Sequence, residues 1–458
     1  MISADRLCVL VEAPVRPDRR YVLYWMQASQ RAHFNPALEY AIEQANNLDV
    51  PTVVCFGLAA FPEANARHYT FMLEGLAEVA GVLAARGIGF VIRKQPPDGL
   101  VADLAADAAL VVCDRGYLKI QRGWRQRLAA RLDVRLVQVE GDVVVPIESA
   151  SDHHEYAART LRPKVLAQWD RQLHTLRARS VRHRADDLDL PQSLDLTHPD
   201  RIVADLKVDH AVGAVTRFRG GEAEARRRLA AFVAERLDHY ADDRARPERG
   251  GVSHLSPYLH FGQISPVEIA LAARREGGGG VAKFLEELIV RRELAANHCY
   301  YLPSYDSYAA APDWARLTLA QHAGDPRPYL YTQAQLEAAA THDPYWNAAM
   351  QEMLATGYMH NVLRMYWGKK VLQWSRTPEE AFETLLALNN RWFLDGRDPN
   401  SFTNVGWIFG LHDRPWPKQP VFGAVRSMGP NTFKRFDAET YVRGVAALAA
   451  AEAGSGRS

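Results

Sequence analysis

The sequence predicts an α/β chain in two parts: a helix-covered parallel sheet at the N-terminal end and an almost wholly helical C-terminal half. Three observations carry this. Short apolar runs alternate with helical patterns between residues 20 and 145, a proline-bearing and weakly periodic stretch follows at 146–215, and the 3.6-residue period then recurs from Gly221 to about Ala451. Strand–helix alternation with near-continuous apolar strands calls for a sheet buried on both faces, and such sheets are parallel.

Taken in order, the apolar stretch 7–15 is interrupted by Glu12 and Pro14, and no small-residue cleavage site follows. It reads as an ordered or frayed N-terminus, not a signal peptide. Strands are expected at 21–25, 52–56, 89–92, 110–113 and 134–138. A helix is expected at 69–86, with Phe71, Leu73, Leu76, Val79 and Leu83 on its apolar face. After the first of these strands comes Gln27-Ala-Ser-Gln-Arg31, and neither GxGxxG nor GxxxxGK[ST] is present. The domain is therefore Rossmann-like without either usual phosphate cradle. The 146–215 stretch reads as an inter-domain connection with one helix near 161–177. Within it His153-His154-Glu155 lacks the HExxH spacing, so it reads as ordinary solvated linker and no metal site is expected. Helices are then expected at 222–244, 266–275, 281–300, 344–356, 358–374 and 378–389. The resulting domains are 1–147, 148–215 and 216–451. The short Gly-Ser-Gly-Arg-Ser end is not expected to carry a signalling tail.

Bulk properties narrow the function classes. A chain of 458 residues with 48% hydrophobic and 24% charged residues is globular, with no run long enough to span a bilayer. A net charge of +1 argues against a polycation that coats nucleic acid, while leaving room for a local basic face. Cys8, Cys55, Cys113 and Cys299 form no CxxC pair; Cys55 and Cys113 fall in strand-like runs. That pattern fits a reducing, cytoplasmic location without a disulfide framework. A monomer is expected.

Four regions carry candidate chemistry, each with a bland structural alternative. Ser256-Pro257 and Ser265-Pro266 both look like capped helix starts, and two such N-termini together could hold a pyrophosphate; capping alone is common. Glu287 and Arg291 stand at i,i+4, the spacing of a surface salt-bridge ladder. Trp367 and Trp374 share a helical face that core packing would also explain, but Arg364, set among Met359, Leu363 and Met365, wants a partner, and Asp395 is a candidate. The region 400–416 reads as a functional loop holding Trp407, His412, Asp413, Arg414 and Trp416. Two acid-free stretches, 354–378 and 414–436, interleave cations with aromatic residues, which suits phosphate contacts around a stacking pocket or, equally, a solvated basic face.

Read together, Leu255-Ser-Pro-Tyr-Leu-His-Phe-Gly-Gln-Ile-Ser265, Glu286-Glu-Leu-Ile-Val-Arg-Arg-Glu-Leu-Ala295, Thr341-His-Asp-Pro-Tyr-Trp-Asn-Ala-Ala349, Met359-His-Asn-Val-Leu-Arg-Met-Tyr-Trp-Gly-Lys-Lys370 and Leu394-Asp-Gly-Arg-Asp-Pro-Asn400 resemble the class II cyclobutane pyrimidine dimer photolyases of the photolyase/cryptochrome family. Val143-Val-Val-Pro-Ile-Glu148 and Tyr156-Ala-Ala-Arg-Thr-Leu-Arg-Pro163 extend the resemblance over nearly the whole chain. It implies an N-terminal antenna domain and a helical domain holding FAD. Tyr240, Ser253, His254, Leu255, Ser256, Arg292 and Asn361 would line FAD, with Arg364 and Asp395 as an ion pair beside it and Asn389 near its reactive ring. Glu287, Met365 and Trp407 would form the lesion pocket. Trp367 and Trp346 would carry electrons, with Trp374 close behind. Within the acid-free stretch 414–436, Arg414, Lys418 and Arg426 are the candidates to meet the phosphates of UV-damaged DNA. The implied activity is electron transfer from light-excited, reduced FAD to a flipped-out dimer. An 8-hydroxy-5-deazaflavin type antenna pigment is a further expectation from the family. Two other readings stay open. A cryptochrome photoreceptor would share fold and FAD without repair, and an unrelated nucleotide-binding α/β protein would share the fold alone. Asn361, where a (6-4) photolyase usually offers a second histidine, favours cyclobutane dimers.

Overall fold

The computed structural model describes residues 2–454; most of the short tail, 455–458, lies outside the described residues. Six strands, β1 (Leu7–Val11), β2 (Tyr21–Trp25), β3 (Thr52–Gly57), β4 (Gly89–Arg93), β5 (Ala108–Asp114) and β6 (Leu136–Val139), form one sheet in the order β1-β6-β5-β2-β3-β4. Strands β2 to β6 pair in parallel and β1 runs antiparallel to β6. All five expected strands form. The sixth, β1, lies in the stretch read as an ordered or frayed N-terminus, and is ordered. It is an edge strand with only partial burial, so its apolar residues carry no clean alternation.

Side-chain alternation divides the sheet faces. Val22 and Tyr24 enter one core with Val54 and Phe56, while Tyr21, Leu23 and Trp25 enter the other with Val53 and Cys55. The helices Pro36–Asn47 and Ala66–Ala85 cover the first face, and Pro97–Ala105 packs on the second. Cys55 and Cys113 are buried, unpaired core residues.

Strand order reverses between β5 and β2, the place where open α/β sheets usually bind a nucleotide phosphate. Here a carboxylate fills that role. Asp114, at the end of β5, accepts from the backbone amides of Gln27, Ala28 and Ser29, each at 2.9 Å, and from the Tyr24 hydroxyl at 2.8 Å. The missing glycine fingerprint follows: the amides that would meet a phosphate already hold an internal anion.

The connection is more structured than one helix. Ile147–Ala150, Ala158–Gln172 and Pro199–Ala204 are all helical. Of His153-His154-Glu155, His153 is exposed as expected of a solvated linker, but the other two are not. Glu155 is buried and accepts from Ser151 (2.7 Å) and Lys164, its amide donates to Asn297, and His154 meets His298. The run expected at 222–244 breaks into Glu222–Glu235 and Tyr240–Asp243, and the run at 281–301 contains a π-helical stretch, Glu286–Arg291.

Buried polar contacts fix the two halves to each other. Arg31 donates to Asp142 (2.7 Å) and to the Gly262 carbonyl (2.9 Å), and Glu222 accepts from the amides of Ala32 and His33. Arg67 reaches the carbonyls of Met353, Leu354 and Trp392. One hydrophobic core runs from the sheet through residues up to Leu294 and takes in Tyr358 and Leu394, and a second is built from residues between Ala311 and Val445. Among the described residues no helix is long and apolar enough to cross a membrane.

Candidate functional site

A cavity of about 1040 Å³, counting the space open at its mouth, lies within the helical half. Tyr240, Ser253, His254, Leu255, Ser256, Arg292, Asn361, Arg364 and Asp395 all line it, and so does Glu287. These residues come from five separate segments, so their meeting is a tertiary fact that no local pattern required.

Each wall has a local cause. The short helix Ser256–His260 begins one residue earlier than a Ser256 cap would require: Leu255 is the capping position and Ser256 lies inside without a capping bond. Only Ser265 caps as expected, its hydroxyl accepting from the Val267 amide at 3.2 Å. The expected pair of capped helix starts is therefore not formed, and Ser256 reaches the cavity as a free hydroxyl. His254, just before this helix, has φ +53°, in the left-handed region that costs a non-glycine residue energy. Its Nδ1 is buried without a partner. Burial, then Arg217, lowers its pKa to about 3, so the ring is neutral.

The π-helical stretch changes the expected charge ladder. At π pitch the facing residue is five positions away, not four. Arg291 accordingly meets Glu286 at 3.4 Å. Glu287 is turned to the cavity, where Arg244 (2.9 Å) and Lys283 (2.7 Å) hold it. The anticipated Glu287–Arg291 pairing does not occur.

Arg364 and Asp395 do pair, Nη2 lying 3.0 and 3.1 Å from the two carboxylate oxygens. The Arg364 Nε donates to the Met359 carbonyl at 3.0 Å, and its guanidinium lies 3.8 Å from the Phe393 ring centre. The helix carrying Arg364 starts at Asn361, since His360 caps it by accepting from the Val362 amide. Asn389, by contrast, does not line the cavity. It is buried on Pro378–Trp392 and donates to Asn390 at 3.1 Å.

Behind Arg364 runs a file of aromatic rings. Phe393 lies edge-on to Trp367 at 6.4 Å, Trp367 stacks on Trp346 at 6.4 Å and 13°, and Trp346 meets Trp374 at 5.6 Å. The Trp346 indole also donates to the Trp367 carbonyl at 3.0 Å. All three tryptophans are buried.

The region read as a loop is mostly helix. Asp398 caps Pro399–Ile408 by accepting from the Asn400 amide at 2.8 Å, so Trp407 stands on a helix. Arg426 lies over the rings of Trp407 (5.7 Å) and Trp416 (5.0 Å), and Arg414 lies over Trp416 (5.1 Å). Lys418, Lys434 and Arg435 are exposed. Met365 is half-buried on the helix of Arg364. Lys369, counted with the basic stretch 354–378, belongs to the interior instead. It is wholly buried, donates to the Ile408 carbonyl at 2.6 Å, lies 5.0 Å from Trp407, and burial lowers its pKa to about 7.

Sequence reading missed Tyr358, Asp398, Asn400, Ser401 and Asn404, which also line the cavity. Asp398-Pro399 was a readable helix-start signal; the others carry no local pattern.

Hydroxyls, guanidinium groups, two tyrosine rings and an unpartnered neutral histidine can hold an aromatic ring system joined to an anionic chain. The donor set thus fits a flavin dinucleotide.

Comparison with known proteins agrees with the architecture. The sequence profile of the DNA photolyase family matches residues 22–182. The chain is 47% identical over 449 residues to the deoxyribodipyrimidine photo-lyase of Methanothermobacter thermautotrophicus, spanning 96% of this chain and 98% of that one. It is 38% identical to the enzyme of the same name from Potorous tridactylus, over 92% and 80% of the two chains. In fold it resembles the class III photolyase of Agrobacterium tumefaciens, with a TM-score of 0.68, 20% identity, and coverage of 93% and 86%. Identity at this level, sustained from end to end over the same α/β and helical halves, makes this chain a member of the DNA photolyase family.

Proposed function

We propose that the protein is a deoxyribodipyrimidine photo-lyase of the class II type, which uses light to split cyclobutane pyrimidine dimers in DNA. The observation that carries the reading is the convergence of the nine residues expected to hold FAD, with Glu287, on one cavity. Bound there, FAD would supply the light-driven electron exchange that opens the dimer. Arg364, fixed by Asp395, keeps a buried positive charge at the cavity wall, and His254 offers a neutral ring nitrogen. Glu287, held by Arg244 and Lys283, presents its carboxylate as an acceptor for a base N–H. Trp407 and Met365 supply apolar surface for the extruded pyrimidine dimer, and Arg414, Lys418 and Arg426 take the DNA phosphates. Trp374, Trp346 and Trp367 form a path for electrons through the interior toward the flavin.

We divide the chain into an antenna domain at 1–147, a connection at 148–215 and the FAD domain at 216–451. A second cavity at the C-terminal edge of the sheet, lined by Trp25, Met26, Phe56, Tyr69, Met72 and Trp124, suits a planar antenna pigment of the 8-hydroxy-5-deazaflavin type. The protein is taken to act as a cytoplasmic monomer.

The test is direct. Purified protein should be yellow and, after reduction, should restore a thymine-dimer oligonucleotide under blue light but not in darkness. Restoration of a (6-4) lesion instead would overturn the dimer assignment. Flavin without any light-dependent repair would make the protein a photoreceptor.

A further inference from the structure

Away from the cavity, three histidines from distant segments converge. His154 lies in the connection, His298 inside the helix Arg292–Tyr301, and His412 in the turn after Pro399–Ile408. Nε2 of His154 is 3.0 Å from Nδ1 of His298, and one nitrogen from each of the three rings lies within 4.8 Å of the others. The His412 ring is oriented from behind: its Nδ1 donates to the Tyr156 carbonyl at 2.7 Å. That bond fixes the tautomer and leaves Nε2 with a free lone pair, buried and without a partner. His298 is wholly buried, and its Nε2 also has no partner. His412 itself has φ +58°, so the turn that presents it is held in a conformation a histidine does not adopt freely. The Tyr156 hydroxyl, donating to the Asp413 carbonyl at 3.0 Å, closes the same turn from the other side.

Hydrogen bonding among these rings does not account for them. One N–H can join His154 to His298, but the buried His412 Nε2 is then an acceptor with no donor among the described residues. A cation resolves this. We propose that His154, His298 and His412 form a binding site for a borderline divalent transition metal, Zn²⁺ in the first instance. Three imidazoles with no ligating carboxylate or thiolate among them suit Zn²⁺ and disfavour Ca²⁺ and Mg²⁺, which need oxygen ligands. At metal–nitrogen distances of about 2.0–2.1 Å, tetrahedral ligand nitrogens stand roughly 3.3 Å apart. The separations present bracket that value, so modest ring rotations close the site. The carbonyl behind His412 is the usual outer partner of a metal-bound imidazole. Water would complete the tetrahedron.

The consequence is mechanical. Metal would clamp the 409–416 turn, which leads into the basic stretch 414–436, against the connection and the helix of His298.

The test uses the flavin-loaded full chain, stripped with a chelator and titrated with Zn²⁺ against a fluorescent zinc chelator. A parallel Co²⁺ titration reads d–d absorption at wavelengths beyond the flavin bands. One equivalent should bind, the melting temperature should rise, and H154A, H298A and H412A should each weaken binding at least tenfold. H153A, which removes the exposed neighbour, should leave it unchanged. Should H298A fail to fold, the double variant H154Q/H412Q, altered only at half-buried positions, decides. Absence of a saturable 1:1 site in the wild-type protein, or equal binding in the double variant, would overturn the proposal.

Discussion

Asp395→Ala is expected to weaken both the fold and the hold on FAD. In the structure the Asp395 carboxylate takes two contacts from Arg364 Nη2, at 3.0 and 3.1 Å, with the two side chains only 13% and 10% exposed. Truncation leaves the guanidinium with the Met359 carbonyl and the face of Phe393 as its remaining neighbours. Removing one member of a buried pair costs about 3–5 kcal/mol. The retained carbonyl bond and ring contact place this pair at the lower end, about 3 kcal/mol. That is on the order of a hundredfold change in the unfolding equilibrium. The assay is urea unfolding of the flavin-free protein, so that stability lost with the pair is not confused with stability lost with the cofactor; bound flavin is read separately by absorbance. The double variant Arg364→Met/Asp395→Leu should recover much of the stability, since no unpaired charge remains, but not the flavin. A wild-type urea midpoint with full flavin content in Asp395→Ala would refute the reasoning. So would a double variant no more stable than the single one.

Other substitutions separate roles in the same way. Glu287→Ala should melt within about 1 kcal/mol of wild type, because its partners Arg244 and Lys283 are partly solvated, yet lower repair per absorbed photon; unchanged repair efficiency would return Glu287 to a purely structural ion pair. Trp367→Phe and Trp346→Phe should bind FAD and repair dimers after chemical reduction in the dark but lose most light-driven flavin reduction, and wild-type photoreduction in both would exclude this path. Lys418→Ala and Lys434→Ala should each lower the log–log salt slope of DNA binding by about one unit, whereas Arg426→Ala should also loosen the Trp407 and Trp416 rings it covers. Lys369 is pushed down to about 7 by burial, so the unfolded chain binds the extra proton between pH 7 and about 10.5 and stability rises with pH there, by at most about 1.4 kcal/mol per unit. Lys369→Met should flatten that part of the unfolding-versus-pH curve; identical slopes in both proteins would show that Lys369 keeps its proton.

Buried strands and long amphipathic helices were readable because burial imposes the period directly: β2, β3 and β5 are apolar at every position that meets a core, and Pro344–Thr356 ends where its Asp-Pro start and Gly357 stop place it. What stayed hidden obeys other rules. Strand β1 is held by its pairing with β6 more than by burial, and pairing leaves little trace in hydropathy. The helix Pro399–Ile408 was masked by its composition, since its Asn, Ser, Thr and Gly residues are loop formers that tertiary packing overrides. The π-helical turn at Glu286–Arg291 is invisible to a 3.6-residue template, yet it decides which glutamate faces the cavity.

The site shows the same division between local and tertiary causes. Arg364 announced itself because a guanidinium among apolar residues must find an anion, and the choice among acids fell on one that the chain does bring to it. His154 gave the opposite lesson. Judged by spacing along the chain it has no metal-ligand partner, and by composition its neighbourhood is polar linker. Its partners are His298 and His412, brought to it by the docking of the connection on the Arg292–Tyr301 helix and by the turn after Ile408. Sequence spacing detects ligands only when they share one element, as two histidines on one helical face do. A site assembled from three segments has no spacing to detect. What could have been read is weaker but physical: a histidine in a turn flanked by Gly410 and Asp413, and another inside an apolar helix, are each neutral or costly where they stand unless something engages their free nitrogens.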